Sequence, residues 1–305
     1  MNAVRIDWPE GCAVREGATL GPFTTFGLGG ACRAVVECPD AESLAEAARR
    51  TRDARVPFFA IGQGSNLLVA DEGVDAVVLR YCAEASSAFD AERVPGNRLL
   101  DDVVREATER GLGDLSPFSG IPGTLAGATV GNAGAFGQAI GDFVESVRVV
   151  DRAGVQREIG RDALGFAYRT SALKGSDEVL LDVRLRLEPA DRDAMRAERE
   201  RILAMRREKH PDWRRLPCAG SVFRNLEPAS PGARRTAAGR LLEEVGAKGF
   251  REGGAYVFER HANIVIAGPG ATALDVFRLT ERMAAAVEAR FGIRPEREIR
   301  LIGRF

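Results

Sequence analysis

Residues 119–137 read SGIPGTLAGATVGNAGAFG, with glycine or alanine at nearly every second position. A run with so little side-chain bulk costs much backbone entropy to order and makes a poor core by itself. Packing against a large flat ligand accounts for it; a chain of turns between strands is the alternative. Nine of the 34 glycines fall between Gly111 and Gly141, a stretch expected to hold no regular structure.

On either side the chain reads as strands and helices. Arg33–Glu37, Pro57–Ile61 and Ala76–Leu79 are expected strands, and Ala41–Arg52 an Ala-rich helix with Asp40 as N-cap. An amphipathic helix spans Arg98–Arg110 and stops at Gly111. Strands resume at Ser146–Asp151, Val155–Ile159 and Glu178–Leu187; in the last, Val183, Leu185 and Leu187 alternate with Asp182, Arg184 and Arg186, giving one buried and one wet face. A charged helix from Asp191 to about Lys209 ends before Pro211, with acids interleaved among its arginines as on a solvated face. Strand Ser221–Arg224, helix Ala237–Val245, strand Asn263–Ala267, helix Thr272–Phe291 and strand Glu298–Ile302 follow. The mixture points to an α/β or α+β protein, and 305 residues to two or three domains at about 100–200 residues each.

Composition excludes several function classes. Forty-three basic against 44 acidic residues leave a net charge of −1, so no overall field draws in nucleic acid or a membrane surface. Two histidines, His210 and His261, are too few for a His-rich metal site. Five cysteines without C-x-x-C spacing are expected to be thiols in a reducing compartment. With no apolar leader and no apolar span of about 20 residues, a cytoplasmic protein is expected.

Two further glycine segments invite a phosphate-cradle reading. Ile61 is followed by Gly62, Gln63, Gly64, Ser65, Asn66 and Leu67, where small residues let backbone N–H groups approach a pyrophosphate; a tight turn reads as well. Gly268-Pro269-Gly270 precedes Thr272 and Asp275, and there a capped turn is the better reading. Three places could carry chemistry. Arg169 lies among Tyr168, Thr170, Ser171 and Lys174, a setting for a carboxylate or phosphate, or simply a surface turn. Ser221 follows small residues but lacks the G-x-S-x-G elbow of a nucleophile. Glu296, Glu298 and Arg300 share one face if the segment is a strand, with salt-bridged edge residues as the bland alternative.

Taken together, these blocks resemble the UDP-N-acetylenolpyruvoylglucosamine reductase family. The resemblance runs through Thr25–Gly30, Gly62–Leu68, Ser119–Thr124, Gly131–Ala135, Tyr168–Ser171 with Lys174, Ala219–Phe223 with Asn225, Gly253–Ala255, His261–Asn263 and Glu298–Gly303. It covers nearly the whole chain, and the order of the blocks makes it specific. It implies an α+β fold: a two-lobed FAD-binding region of the vanillyl-alcohol-oxidase type over residues 1–189, with lobes of about 1–80 and 81–189. A C-terminal α+β substrate domain over 190–305 completes it. The spacing from Arg169 to Ser221 matches the shorter type, without a substrate-capping insertion.

The resemblance further implies an oxidoreductase of peptidoglycan precursor synthesis that holds FAD non-covalently and takes hydride from NADPH. The enolpyruvyl nucleotide sugar is then reduced at its terminal carbon. Gly62, Gln63, Gly64, Ser65, Asn66 and Leu67, with Ser119, Gly120, Ile121, Pro122, Gly123, Gly127 and Ala128, are the implied FAD contacts. Arg169 and Glu298 are the implied stabilisers of the enolate-like intermediate, and Ser221 its proton donor. Tyr168 and Asn225 are implied to meet the substrate. The partners expected are small molecules only, acting on a monomer. The family's usual K-N-P reads Arg224-Asn225-Leu226, its frequent tyrosine is Phe136, and Pro295 and Arg297 alter the segment around Glu298, leaving Glu296 as the fallback. The alternatives are another FAD-dependent sugar or lactone oxidoreductase, and a non-catalytic nucleotide-sugar binding protein.

Overall fold

Helix α1, Ala41–Asp53, begins where Asp40 Oδ1 accepts the Ser43 N–H at 2.7 Å and Ser43 Oγ accepts the Asp40 N–H, a reciprocal cap. Its Leu44, Ala47 and Ala48 are fully buried against Val36, Val77 and Leu79, so the i, i+3, i+4 spacing becomes a core face. This is a computed structural model, and it describes residues 5–84, 90–227 and 235–305.

The chain divides into two units. The first comprises Met1–Ala18, Cys32–Gln63 and Asp75–Arg206. One four-stranded sheet there has the order Ala13–Glu16, Ala34–Cys38, Val77–Tyr81, Phe58–Ala60, antiparallel at the first pair and parallel at the other two. A second, antiparallel sheet has the order Gln156–Gly160, Val144–Val150, Val179–Leu185, Val94–Pro95. Val150, Val179 and Leu181 join the α1 core, while Val147, Val149, Val183 and Leu185 pack with α2, Leu100–Arg110. As expected, α2 ends at Gly111 in the left-handed conformation, φ 63°.

Two expectations for this unit are corrected. Residues 111–141 are not devoid of regular structure: they hold a 3₁₀ turn at Ser116–Phe118, helix α3 at Leu125–Val130, and a small hairpin pairing Gly134–Ala135 with Gln138–Ala139. Thr124 starts α3 by accepting the Gly127 N–H on its Oγ1 at 3.2 Å, and Leu125 and Thr129 anchor it in the core. A cap and two anchors outweigh the helix cost of one internal glycine, about 1 kcal/mol. Asp182, placed on the wet face by alternation, is only 7% exposed. Its Oδ2 accepts from Arg148 Nε at 3.0 Å, and that partner makes the burial tolerable. Helix α4, Arg192–Lys209, carries Met195, Ile202 and Met205 near helical spacing, and of these Met195 and Ile202 are buried while Met205 is only partly so.

The second unit comprises Thr19–Ala31, Gly64–Val74 and Arg207–Phe305. Its core packs α5, Ala238–Glu244, and α6, Ala273–Phe291, with a three-stranded antiparallel sheet of Arg251–Glu252, Ala255–Val257 and Val265–Ala267. The Thr272–Asp275 cap opens α6, and Asp71 accepts the Ala273 and Leu274 N–H groups at 2.8 and 3.0 Å. The turn at Gly268–Gly270 is thus a capped turn whose helix donors are already taken. The expected strand Glu298–Ile302 is shorter, Arg300–Ile302, and pairs in parallel with Leu67–Val69. Ser221–Arg224 forms no ladder: Ser221 bridges Ile264 and Phe223 bridges Arg297 singly, because Asn263 supplies much of its pairing from a side chain.

Candidate active site

In the first unit, Gly62 lies where a Cβ would come within 2.4 Å of Thr124 Oγ1, the oxygen that caps α3. The G-x-G turn and the glycine-rich stretch therefore meet through a contact only glycine permits. Ser119 is fully buried and spends its hydroxyl on the Ser116 carbonyl at 2.6 Å; the Ala128 methyl is buried in the core. Gly120 has φ 70°, and its N–H donates to Asp101 Oδ1 at 2.7 Å. The same carboxylate accepts both terminal nitrogens of Arg199, at 2.6 and 3.0 Å. Burial opposes the charge on Asp101, yet Arg199 and the Gly120 N–H together outweigh it and hold this carboxyl below the usual range.

Arg206, on α4, is a candidate that sequence reasoning missed. A Cβ on Gly120 would approach its Cδ to 3.1 Å, and its Nε is buried without an acceptor. Among the described residues its guanidinium forms no ion pair; burial pushes its pKa down, with only Asp101 pulling it back. Gln63 Oε1 is likewise buried and without a hydrogen-bond partner among the described residues. The Arg206 donor suits an anion such as a pyrophosphate, and the Gln63 acceptor suits a hydroxyl or N–H of the same large ligand, as a dinucleotide offers. Nothing in the sequence singled out Arg206 from the other arginines of α4.

Arg169 has φ 58°, a strained value for a residue with a side chain. Ala167 and Thr170 close the turn by exchanging N–H···O bonds at 3.1 and 3.2 Å, and Lys174 Nζ donates to the Arg169 carbonyl at 2.7 Å. Its guanidinium donates to the Gly134 carbonyl at 3.0 Å and lies 5.5 Å from the Tyr168 ring centroid. Asn132, 6% exposed, holds the turn from behind: Nδ2 donates to the Ala167 carbonyl at 2.8 Å, and Oδ1 accepts the Gly141 N–H at 3.0 Å.

In the second unit, Gly64 has φ 64°, and a Cβ there would lie 2.1 Å from the Phe23 carbonyl. Its carbonyl accepts the Thr25 N–H at 3.3 Å, so the Thr25–Gly30 and G-x-G-S-N blocks meet. Asn66 Nδ2 donates to the Glu298 carbonyl at 3.1 Å, and the Arg300 N–H to the Asn66 carbonyl at 2.9 Å. The Glu298 N–H donates to the Val222 carbonyl at 2.8 Å, which fixes the Ser221 segment beside Glu298. Ser221 is half-buried, and its Oγ makes no hydrogen bond among the described residues. Asn225 Oδ1 accepts the Ala238 N–H at 3.3 Å at the start of α5. Glu296, the fallback for Glu298, is exposed and pairs with Arg224 at 3.6 Å. Ser221 and Glu298 thus belong to the second unit, and Arg169 to the first. Among the described residues no cluster of three or more metal-ligating side chains occurs, and no helix is long and apolar enough to cross a membrane.

Comparison with known proteins identifies the family. Residues 32–160 match the FAD binding domain family, and residues 211–302 match the C-terminal domain of UDP-N-acetylenolpyruvoylglucosamine reductase. UDP-N-acetylenolpyruvoylglucosamine reductase 2 of Symbiobacterium thermophilum is 38% identical over 293 residues, 95% of this chain and 92% of that protein. The reductase of Heliobacterium modesticaldum is 39% identical over 287 residues, 92% of this chain and 88% of its own length. The crystal structure of the Thermus caldophilus reductase superposes with a TM-score of 0.80 at 30% identity, covering 96% of this chain and all of that one. The α+β fold class expected from the sequence is the one found. The chain belongs to the UDP-N-acetylenolpyruvoylglucosamine reductase family of FAD-dependent oxidoreductases.

Proposed function

We propose that the chain uses NADPH to reduce UDP-N-acetylglucosamine enolpyruvate to UDP-N-acetylmuramate, a step of peptidoglycan precursor synthesis. The observation that carries this reading is the backbone link between Val222 and Glu298, which sets a serine with an unengaged hydroxyl beside a glutamate. FAD, when bound, accepts hydride from NADPH and passes it to the substrate. Gly62–Leu67, Ser119–Gly123, Gly127 and Ala128 are the segments we assign to it, with the Arg206 guanidinium suited to its pyrophosphate. FAD binding is assigned mainly to residues 1–189, with Arg206 of α4 added, and nucleotide-sugar binding mainly to the rest of 190–305, with Tyr168 added.

Hydride arriving at the terminal carbon of the enol ether leaves negative charge on the adjacent carbon and its carboxylate. By the family resemblance, the Arg169 guanidinium is assigned to hold that charge as a fixed cation, and the Glu298 carboxyl group to polarise the substrate by hydrogen bonding. Ser221 Oγ–H delivers the proton to the adjacent carbon. A serine hydroxyl is a very weak acid, and it serves here because a carbanion-like acceptor is a far stronger base. Tyr168 and Asn225 contact the substrate. The enzyme acts as a cytoplasmic monomer on small molecules, its net charge of −1 giving no pull toward nucleic acid or membrane.

Purified protein is expected to be yellow and to oxidise NADPH only when the enolpyruvyl nucleotide sugar is supplied; a colourless protein that takes up no FAD overturns the reading. Ser221→Ala should keep flavin reduction by NADPH and cripple reoxidation by substrate, whereas equal loss of both half-reactions removes the proton-donor role.

A further inference from the structure

Ser221 stands on a backbone that no sheet ladder supports, since Ser221 and Phe223 make only isolated bridges. What fixes this backbone on one side is Asn263, 3% exposed. Its main-chain carbonyl accepts the Val222 N–H at 2.8 Å. Its carboxamide takes both polar groups of the next residue: Oδ1 accepts the Phe223 N–H at 2.9 Å, and Nδ2 donates to the Phe223 carbonyl at 2.8 Å. One donor and one acceptor side by side reproduce what a neighbouring strand residue offers. Val222 and Phe223 are buried, so water cannot replace the carboxamide. The other side of the same segment is held by the Glu298 N–H on the Val222 carbonyl and the Arg224 N–H on the Glu296 carbonyl, at 2.8 and 2.9 Å. Asn263 is itself oriented by His261, whose Nδ1 accepts the Asn263 N–H at 3.2 Å and whose burial favours the neutral ring that this bond requires.

We infer that Asn263 is a positioning residue for Ser221: its carboxamide clamps Val222 and Phe223 and so sets the direction of Ser221 Oγ relative to Glu298, without touching substrate. The inference rests on the reading of Ser221 as proton donor. A misplacement of order 1 Å at a reacting group costs about 10²-fold in rate, which sets the size of the expected effect.

The test follows the two half-reactions in FAD-loaded enzyme by flavin absorbance. Asn263→Asp keeps an acceptor for the Phe223 N–H but loses the donor to the Phe223 carbonyl. It should leave reduction by NADPH within about twofold and slow reoxidation by the enolpyruvyl substrate about 10²-fold, with substrate affinity little changed. In a Ser221→Ala background the same substitution should slow reoxidation no further, because Asn263 acts through Ser221. Should Asn263→Asp fail to give holoenzyme, Asn263→Ser, which keeps the main-chain bond to Val222, is read by the same criteria. Equal slowing of both half-reactions, normal reoxidation in a merely less heat-stable enzyme, or full additivity with Ser221→Ala each overturn the inference. If Ser221→Ala alone leaves reoxidation intact, it is the proton-donor reading that fails, whatever Asn263 does.

Discussion

The carboxamide of Asn66 donates to the main-chain carbonyl of Glu298 at 3.1 Å, joining positions 232 apart in the chain. One residue of the G-x-G-S-N turn thus holds the segment that carries the candidate catalytic carboxyl group. Asn66→Ala deletes this bond in an exposed setting, so its cost in stability should be modest, about 0.5–1.5 kcal/mol. Its effect on catalysis should be larger and should fall on substrate-driven reoxidation of the flavin. Stopped-flow measurement of the two half-reactions checks this, and equal slowing of both would refute it.

Gly64→Ala should act through the backbone. Its φ of 64° disfavours a side chain, and a Cβ would press within 2.1 Å of the Phe23 carbonyl. Left-handed strain and overpacking together should cost about 2–5 kcal/mol. Chemical denaturation of the FAD-free protein should show the loss, and FAD titration should show weakened binding. An unchanged denaturation midpoint would mean that this close approach does not occur.

Asn132→Ala leaves the Ala167 carbonyl and the Gly141 N–H without their partner and puts alanine at φ 44°. About 2–4 kcal/mol of destabilisation is expected, together with slower reoxidation as Arg169 loses its support. Calorimetry and half-reaction kinetics on one preparation separate the two effects. If reoxidation is normal in the folded fraction, Asn132 does not serve Arg169.

Asp101 gives a pH signature. Its folded-state pKa lies below the unfolded value, so the stability it contributes is present above the unfolded carboxylate pKa, about 3.9, and is lost as pH falls through the lower folded value. Asp101→Asn should therefore lower the melting temperature at neutral pH, and the gap to wild type should close in acid. A gap that persists unchanged below pH 3 would show that the charge on Asp101 contributes nothing.

Local chemistry made much of this fold legible. The Asp40 and Thr272 caps, the Gly111 stop and the alternation around Val183 all lie within a few residues of the structure they dictate. What stayed hidden depends on partners far away in sequence. Asp182 is buried because Arg148 reaches it, and α3 forms because Thr124 caps a run that composition alone reads as loop. Nothing local assigns Thr19–Ala31 and Gly64–Val74 to the unit that holds Arg207–Phe305. The glycine blocks and Arg169, Ser221 and Glu298 were singled out from the sequence. Arg206 was not, because an arginine among arginines carries no mark of the group it meets, and Asn263, though part of the His261–Asn263 block, shows nothing locally of the Phe223 backbone that its carboxamide clamps.

The parallel pairing of Leu67–Val69 with Arg300–Ile302 has a consequence for biosynthesis. The two strands are 233 positions apart, so at about 5–20 residues per second the ribosome needs roughly 10–50 s to deliver the second after the first. Throughout that interval the apolar segment Leu67–Val69 lacks the strand it pairs with, and its backbone groups stay open to mispairing. Residues that leave the ribosome this much later are therefore the ones that complete the backbone pairing of the G-x-G-S-N segment.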